Sequence, residues 1–359
     1  MTRLRDWSGL LLLLWLFCTS PAAAGEEYFA RYALPRNAAS VDIGVQPLGF
    51  PAAMIGALLQ RDRILKRRLE ELGQPLATFA FRRGSDMLDL LADDRLEAGL
   101  LGDLPTILLA ARTDVAIAGL TKRSATALVA RQEGLLANLQ GKRLAYVPDS
   151  SAHYTLLQAL ASVGLSEQDV TLVPLAIDEM PAALAQGRID GFAAWEPAPT
   201  IALASLPQAR IVFRGPSSDY LVLTRRFVKR HPEAARHLVA ALIRALEWMR
   251  QNRKNIESAV RWAMHDGSAF SGQAPALTLA QAVTIARREI IEVPAAPAIP
   301  AAIGDRQPLL GEFHFLQRLG KLPANTSWER LAMAFAYDGL QQVSAAPARY
   351  RPYVFDYEP

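Results

Sequence analysis

The segment Arg143-Leu144-Ala145-Tyr146-Val147-Pro148-Asp149-Ser150-Ser151-Ala152-His153-Tyr154 changes its period halfway along. A short apolar run, Leu144 to Val147, stops at Pro148-Asp149, and helical spacing resumes from Ser150. The pattern reads as strand, turn and helix N-terminus. The first turn of such a helix leaves backbone N–H groups without internal partners, and its aligned peptide dipoles place roughly half a positive charge there. Two serines at that mouth make a candidate anion cradle. A serine N-cap with no ligand would leave the same trace, because serine is among the preferred residues at that position.

Upstream, short apolar runs alternate with helical patterns: 41–45 then 51–72, 78–81 then 85–92, 98–101 then 104–111. A second alternating series runs downstream through 144–147, a helix from Ser151, 171–173, a helix near 180–186, and 191–194. Such alternation implies an α/β fold with mostly parallel strands covered by helices. Ligands of such sheets gather at the carboxyl ends of strands, which directs attention to loops 46–50, 82–85 and 102–105. Two strands, about Ala125 to Arg131 and about Tyr220 to Thr224, stand where the series change and are read as paired crossovers. Beyond Thr224 the pattern is almost wholly helical, with Pro232 to Asn252 the longest segment. Val293 to Ala302 reads as a connecting loop, because Pro294, Pro297 and Pro300 exclude helix interiors. Asn325-Thr326-Ser327 reads as a helix start, and the aromatic tail from Ala345 carries no pattern that assigns it a role.

The N-terminus has the layout of a secretory signal over residues 1–24: Arg3 and Arg5, an apolar run from Leu10 to Phe17, then Ala22-Ala23-Ala24 before Gly25. That apolar run falls short of the roughly 20 residues a membrane span needs. Cys18 is the only cysteine and lies inside the segment expected to be removed, with Phe17 where a lipid-anchored protein would need a small residue. The exported chain would therefore have no disulfide, thiolate metal site or cysteine nucleophile. Of the 359 residues, 51% hydrophobic, those beyond the signal can bury a large core, and the length suggests two lobes. Net charge is +4. The densest basic cluster, Arg61 to Arg68, is interleaved with Asp62 and followed by Glu70 and Glu71 without aromatic residues, so it reads as a solvated helix face with no nucleic-acid role.

Dinucleotide, phosphate-loop and nucleophile-elbow motifs are all missing from the sequence. The five histidines, His153, His231, His237, His265 and His314, show no zinc-binding spacing. Asp93-Asp94 and Asp178-Glu179 read as solvated turns or helix starts. No catalytic residue, metal site or cofactor is therefore expected.

Three clusters combine in order: Leu101-Gly102-Asp103-Leu104-Pro105, the Ser150-Ser151-Ala152-His153 helix opening, and Gly187-Arg188-Ile189-Asp190-Gly191-Phe192-Ala193-Ala194-Trp195-Glu196-Pro197. In these the chain resembles the substrate-binding proteins of nitrate, taurine and alkanesulfonate ABC importers, over about residues 40 to 265. The resemblance implies a type II periplasmic binding fold with two Rossmann-like lobes, 40–128 plus 223–359 and 129–222, joined by two crossover strands. It further implies a periplasmic monomer that holds a small molecule between the lobes and hands it to a permease in the inner membrane.

Residues of a candidate ligand site follow. Trp195, at a strand end, would supply a flat wall with an N–H donor. Glu196, expected to be extended before Pro197, would accept from a ligand amine or pair with a basic residue across the hinge. Gly102 would permit close approach of backbone, and Asp103 would cap the helix from Leu104. Ser150 and Ser151 form the helix mouth, while His153 faces either the cleft or the lobe interior. By the resemblance, Gln46, Leu48 and Gly49 on the first strand's exit and Thr126 in the first crossover join them. Asp149 departs from the resembled pattern, which has glycine there. Its charge, with those of Asp103 and Glu196, disfavours a dense inorganic anion and favours an organic, sulfonate-like or zwitterionic ligand. The alternatives are an enzyme on the same scaffold, resembling pyrimidine-forming thiamin biosynthesis proteins, and a sensor docking to a membrane kinase.

Overall fold

The computed structural model describes residues 28–132, 134, 136–290 and 309–359. The secretory-signal reading, Cys18 and the proline-rich stretch after Val293 lie outside these residues. Residues 28–33 hold one short 3-10 turn, Tyr28–Arg31, and residues 34–359 form a single contact unit.

Among the described residues the strands are β1 Val41–Val45, β2 Leu76–Ala80, β3 Ala98–Gly102, β4 Val115–Ala130, β5 Arg143–Tyr146, β6 Thr171–Pro174, β7 Gly191–Ala194 and β8 Arg210–Thr224. The helices are α1 Ala53–Arg61, α2 Arg63–Glu71, α3 Leu88–Ala92, α4 Asp103–Arg112, α5 Ser151–Ser162, α6 Met180–Ala185, α7 Ala198–Ser205 and α8 Arg225–Arg230. There follow α9 Pro232–Gln251, α10 Arg253–Ser271, α11 Leu279–Ile290, α12 Leu310–Arg318, α13 Trp328–Ala332, α14 Tyr337–Ala345 and α15 Pro347–Tyr350. Among the described residues no helix is long and apolar enough to cross a membrane.

The sheet order is β2-β1-β3-β8-β4-β7-β5-β6. Strands β2, β1 and β3 pair in parallel at one end, and β7, β5 and β6 do so at the other. Between them β4 and β8 run antiparallel along nearly their full lengths. Val41, Ile43, Leu144 and Phe192 are buried within these groups, which is why the strands read as continuous apolar runs.

Two expectations change. The crossovers are longer than the apolar runs suggest, because the polar stretches Thr121 to Ser124 and Ser217 to Asp219 continue as strand and face each other. The helix expected over 51–72 is two helices, broken at Asp62. Asp62 caps α2 by accepting from the Leu65 N–H at 2.9 Å and receives the Nε of Arg244, on α9, at 2.7 Å. Arg244 is fully buried and also donates to the carbonyls of Tyr350 and Arg351. The tail closes over this pair. Asp62 bridges Tyr357, Arg63 N–H donates to the Asp356 carbonyl and Glu358 N–H to that of Arg61, both at 2.9 Å. The Tyr357 ring packs on Trp248, centroids 4.7 Å apart. Arg61 is not a free surface charge either, since it forms a double hydrogen bond with Asp266 at 2.8 Å.

Candidate functional site

Two helices and the crossover ribbon converge on one cavity. Helix α4 leaves β3 with Gly102 as its N-cap. Asp103 is thus the first helical residue and not the cap: its Oδ1 accepts from the Leu104 N–H at 2.9 Å and from the Ser151 hydroxyl, and its Oδ2 from the Ser218 N–H at 3.2 Å. Helix α5 starts as expected, with Ser150 accepting from the His153 N–H at 3.3 Å. The turn before it places Asp149 at φ 53°, a left-handed conformation that explains why glycine suits this position in the resembled pattern.

The cavity is lined by Gln46, Gly49, Gly102, Ser150, Ser151 and Trp195 among the residues singled out from sequence, and by Lys122, Ser217 and Asp219, which were not. Its free space is about 30 Å³, room for one or two waters. Gly102 has a steric reason to be glycine, because a Cβ there would stand 2.7 Å from Ser151 Oγ.

The ribbon supplies the charge. Ladder registers pair Leu120 with Tyr220 and Lys122 with Asp219, so Thr121 is the extra residue of a β-bulge. The bulge sets Lys122 opposite Asp219 where Thr121 would otherwise stand. Lys122 is 3% exposed, with its Nζ 3.4 Å from Asp219 Oδ1 and 3.3 Å from Ser217 Oγ. Sequence reading misses it because a polar quartet between apolar runs looks like a loop; the available signal was that each polar stretch interrupts what is otherwise a buried strand.

Hydrogen bonding alters the role of the serines. Ser150 Oγ donates to the Val147 carbonyl at 2.6 Å and Ser151 Oγ donates to Asp103, so both hydroxyl protons are committed within the protein. Lys122 is the cation of the lining, and Trp195, another lining residue, has its Nε1 buried with no partner among the described residues. Trp195 also packs into the hydrophobic cluster of β7 and α7, so it is core and wall at once. Burial pushes Asp103 up to about 6, opposed by its hydrogen bonds from Ser151 and Ser218 and assisted by Asp219. Behind it Glu312 of α12 is buried and raised by the same cause, with no partner for its Oε1 among the described residues.

The remaining singled-out residues lie outside the lining. Thr126 is fully buried and shares a hydrogen bond with the Thr155 hydroxyl. His153 turns to Glu167, 3.3 Å from its Nε2, and to the Tyr146 ring, and burial lowers its affinity for a proton. Glu196 accepts from Arg288 of α11 at 3.1 Å and from the Thr200 N–H at 3.3 Å; its bond to Pro197 is cis. Leu48 lines an adjoining apolar groove of about 160 Å³ with Pro47, Phe50, Pro197 and Met264. No histidine or cysteine stands among the cavity-lining residues, so no Ser–His or Cys–His nucleophile pair forms there. Among the described residues there is also no cluster of metal-ligating side chains. The lining thus brings one cation, one carboxylate and one indole ring around a small cavity.

Residues 37–264 match the model of the NMT1-like family. A protein of Escherichia coli (strain K12) provisionally named for aliphatic sulfonate binding is 30% identical over 157 residues, 42% of this chain and 49% of that protein. The chain thus spans about half the length of that relative. The taurine-binding periplasmic protein of the same organism is 26% identical over 272 residues, 71% of this chain and 81% of the other. Among solved structures, the alkanesulfonate-binding protein SsuA from Xanthomonas axonopodis pv. citri, bound to MOPS, superposes with a TM-score of 0.64 at 22% identity. That superposition covers 83% of this chain and 98% of the other, and it establishes a shared fold, the mixed α/β arrangement of periplasmic binding proteins.

Proposed function

The chain belongs to the NMT1-like family, and from that premise we propose that it is the exported solute-binding component of an ABC importer. It captures a small organic ligand, sulfonate-like or zwitterionic, between two lobes and delivers it to an inner-membrane permease. The observation that carries this reading is the cavity itself. Its walls come from the β1 exit and α4, from α5 and the β7 exit, and from the ribbon between them. A ligand touching both sides is bound fully only when they meet, so it shifts the population toward the closed form. The lobes proposed are 40–128 plus 223–359 and 129–222, with β4 and β8 as the connection. With about 30 Å³ free, the walls must part for a guest to enter.

Charge supports an organic or zwitterionic ligand over a dense inorganic anion. Lys122 is matched by Asp219, and Asp103 adds a further carboxyl nearby. A guest with an anionic head near Lys122 and a donor toward Asp219 would meet complementary partners. The family resemblance and the names of the relatives support carriage and not turnover.

Native mass spectrometry of the protein as purified, followed by a thermal-shift panel of taurine, alkanesulfonates, nitrate and sulfate, tests the reading. Unaltered organic ligand released on denaturation, with stabilisation by taurine or a sulfonate, is the expected result. Tight sulfate or nitrate binding with no organic binding would overturn the ligand class, and chemical conversion of a bound compound would overturn carriage.

A further inference from the structure

The Ser151 hydroxyl has one proton and two claims on it. In the structure that proton goes to Asp103 Oδ1, yet Ser151 lines the cavity at the mouth of α5. Serving an anionic ligand would turn the proton away from Asp103. The carboxylate would then keep only two backbone donors, Leu104 N–H at 2.9 Å and Ser218 N–H at 3.2 Å, while gaining a negative neighbour.

Charged and titratable groups face Asp103 from every element packed against it. Strand β8 contributes Asp219 and Tyr220, α12 contributes Glu312, and α5 contributes Tyr154. Lys122 on β4, the cation of the cavity lining, is engaged by Asp219 at 3.4 Å. Among the described residues no basic side chain is hydrogen-bonded to Asp103, and Lys122 is already shared with Asp219, so a second negative charge beside Asp103 raises its affinity for a proton. A proton from solvent resolves the conflict.

We propose that the cavity takes up an anionic group together with one proton: Asp103, once protonated, donates to Ser151 Oγ, and Ser151 donates to the anion. The inference rests on the reading of the cavity as a ligand site. The balance is simple. One solvent proton adds to Asp103, the Ser151 proton rotates from Asp103 to the guest, and no other bond is made or broken. Asp103 acts here as a positioning residue, since it reaches the ligand only through Ser151. Its elevated proton affinity, to about 6 in the free protein, rises further beside an anion. Affinity therefore falls tenfold per pH unit between the free and the ligand-bound value, and is flat on either side.

Isothermal titration calorimetry with taurine and with ethanesulfonate at about pH 7, in buffers of different ionisation enthalpy, counts the protons. The expected result is uptake approaching about one proton per ligand, and an Asp103→Asn variant that takes up none and binds with an affinity independent of pH. Binding by the wild type without proton uptake would overturn the inference and leave the carrier reading standing. Undiminished uptake in Asp103→Asn would overturn it as well, moving the proton to another group. Heat from neither probe would overturn both readings for sulfonates. Should Asp103→Asn fail to fold, ligand-induced infrared difference spectra of the wild type still decide. A protonated-carboxyl carbonyl band that grows on binding supports the inference, and its absence overturns it.

Discussion

Asp62 and Asp103 are the same residue in nearly the same local setting, and they have opposite surroundings. Each is buried, each stands at the start of a helix, and each accepts a backbone N–H of its first turn. Asp62 then meets the Arg244 guanidinium at 2.7 Å, under a tail that closes over both. Asp103 meets a serine hydroxyl and two further carboxyls, beside a cavity. A buried charge with a fixed counter-charge is finished structure, whereas one left to hydroxyls and other acids is poised to respond to whatever enters. The helix start does not tell the two apart; the third partner does.

The sharpest attack on this contrast is Asp62→Ala, which strands Arg244 in the interior. Loss of about 3–5 kcal/mol of folding stability is expected, read from the denaturant midpoint; a change below about 1 kcal/mol would place Asp62 in the same class as Asp103. On the cavity side, Trp195→Ala should leave the fold standing while ligand affinity drops by about tenfold or more, a loss of about 1.4 kcal/mol. If calorimetry finds the affinity unchanged, the indole belongs to the core alone.

Asp103→Asn should alter a pH profile more than a stability. In the folded chain Asp103 holds its proton up to about 6, against the usual 3.8, so over that window the native state binds the proton more tightly than the unfolded state does. The stabilisation this brings is complete at the acid end and is lost as pH rises toward 6. The variant should therefore show a flatter dependence of melting temperature on pH between about 4 and 6, with parallel curves contradicting the assignment. Smallest of all, Lys321→Ala removes an ion pair with Glu167, at 2.6 Å but about one-third exposed on both sides. A cost under about 1 kcal/mol is expected, and a larger one would mean that exposed pairs in this protein carry weight the comparison denies them.

Much of the sheet was readable before any coordinates, because its strands are buried on both faces and announce themselves as apolar runs between helical patterns. The helix break at Asp62 was not, since its cause, Arg244, lies 182 positions away and a carboxylate within a basic helix looks merely solvated. The cavity shows the same division. Gly102, Ser151 and Trp195 were visible as turn and helix-start chemistry, local features that sequence records. Lys122 and Asp219 were hidden because their pairing depends on one extra residue in β4, and a bulge leaves no periodic trace. Thr126 was drawn in by resemblance and His153 by its place in the first turn of a helix, yet each side chain is turned by a nearer partner, Thr155 or Glu167.

The closure at Asp62 also bears on how the molecule is made. Arg63 and Asp356, which meet in it, are 293 positions apart, so the enclosing loop spans most of the polypeptide and its entropy must be met before the contact gives any return. Residues 356–358 close over a pair whose Arg244 is also held by the carbonyls of Tyr350 and Arg351. The break between α1 and α2 is therefore fastened by a contact between distant parts of the sequence, and a chain in which residues 356–358 are undocked would keep its sheet while lacking that fastening.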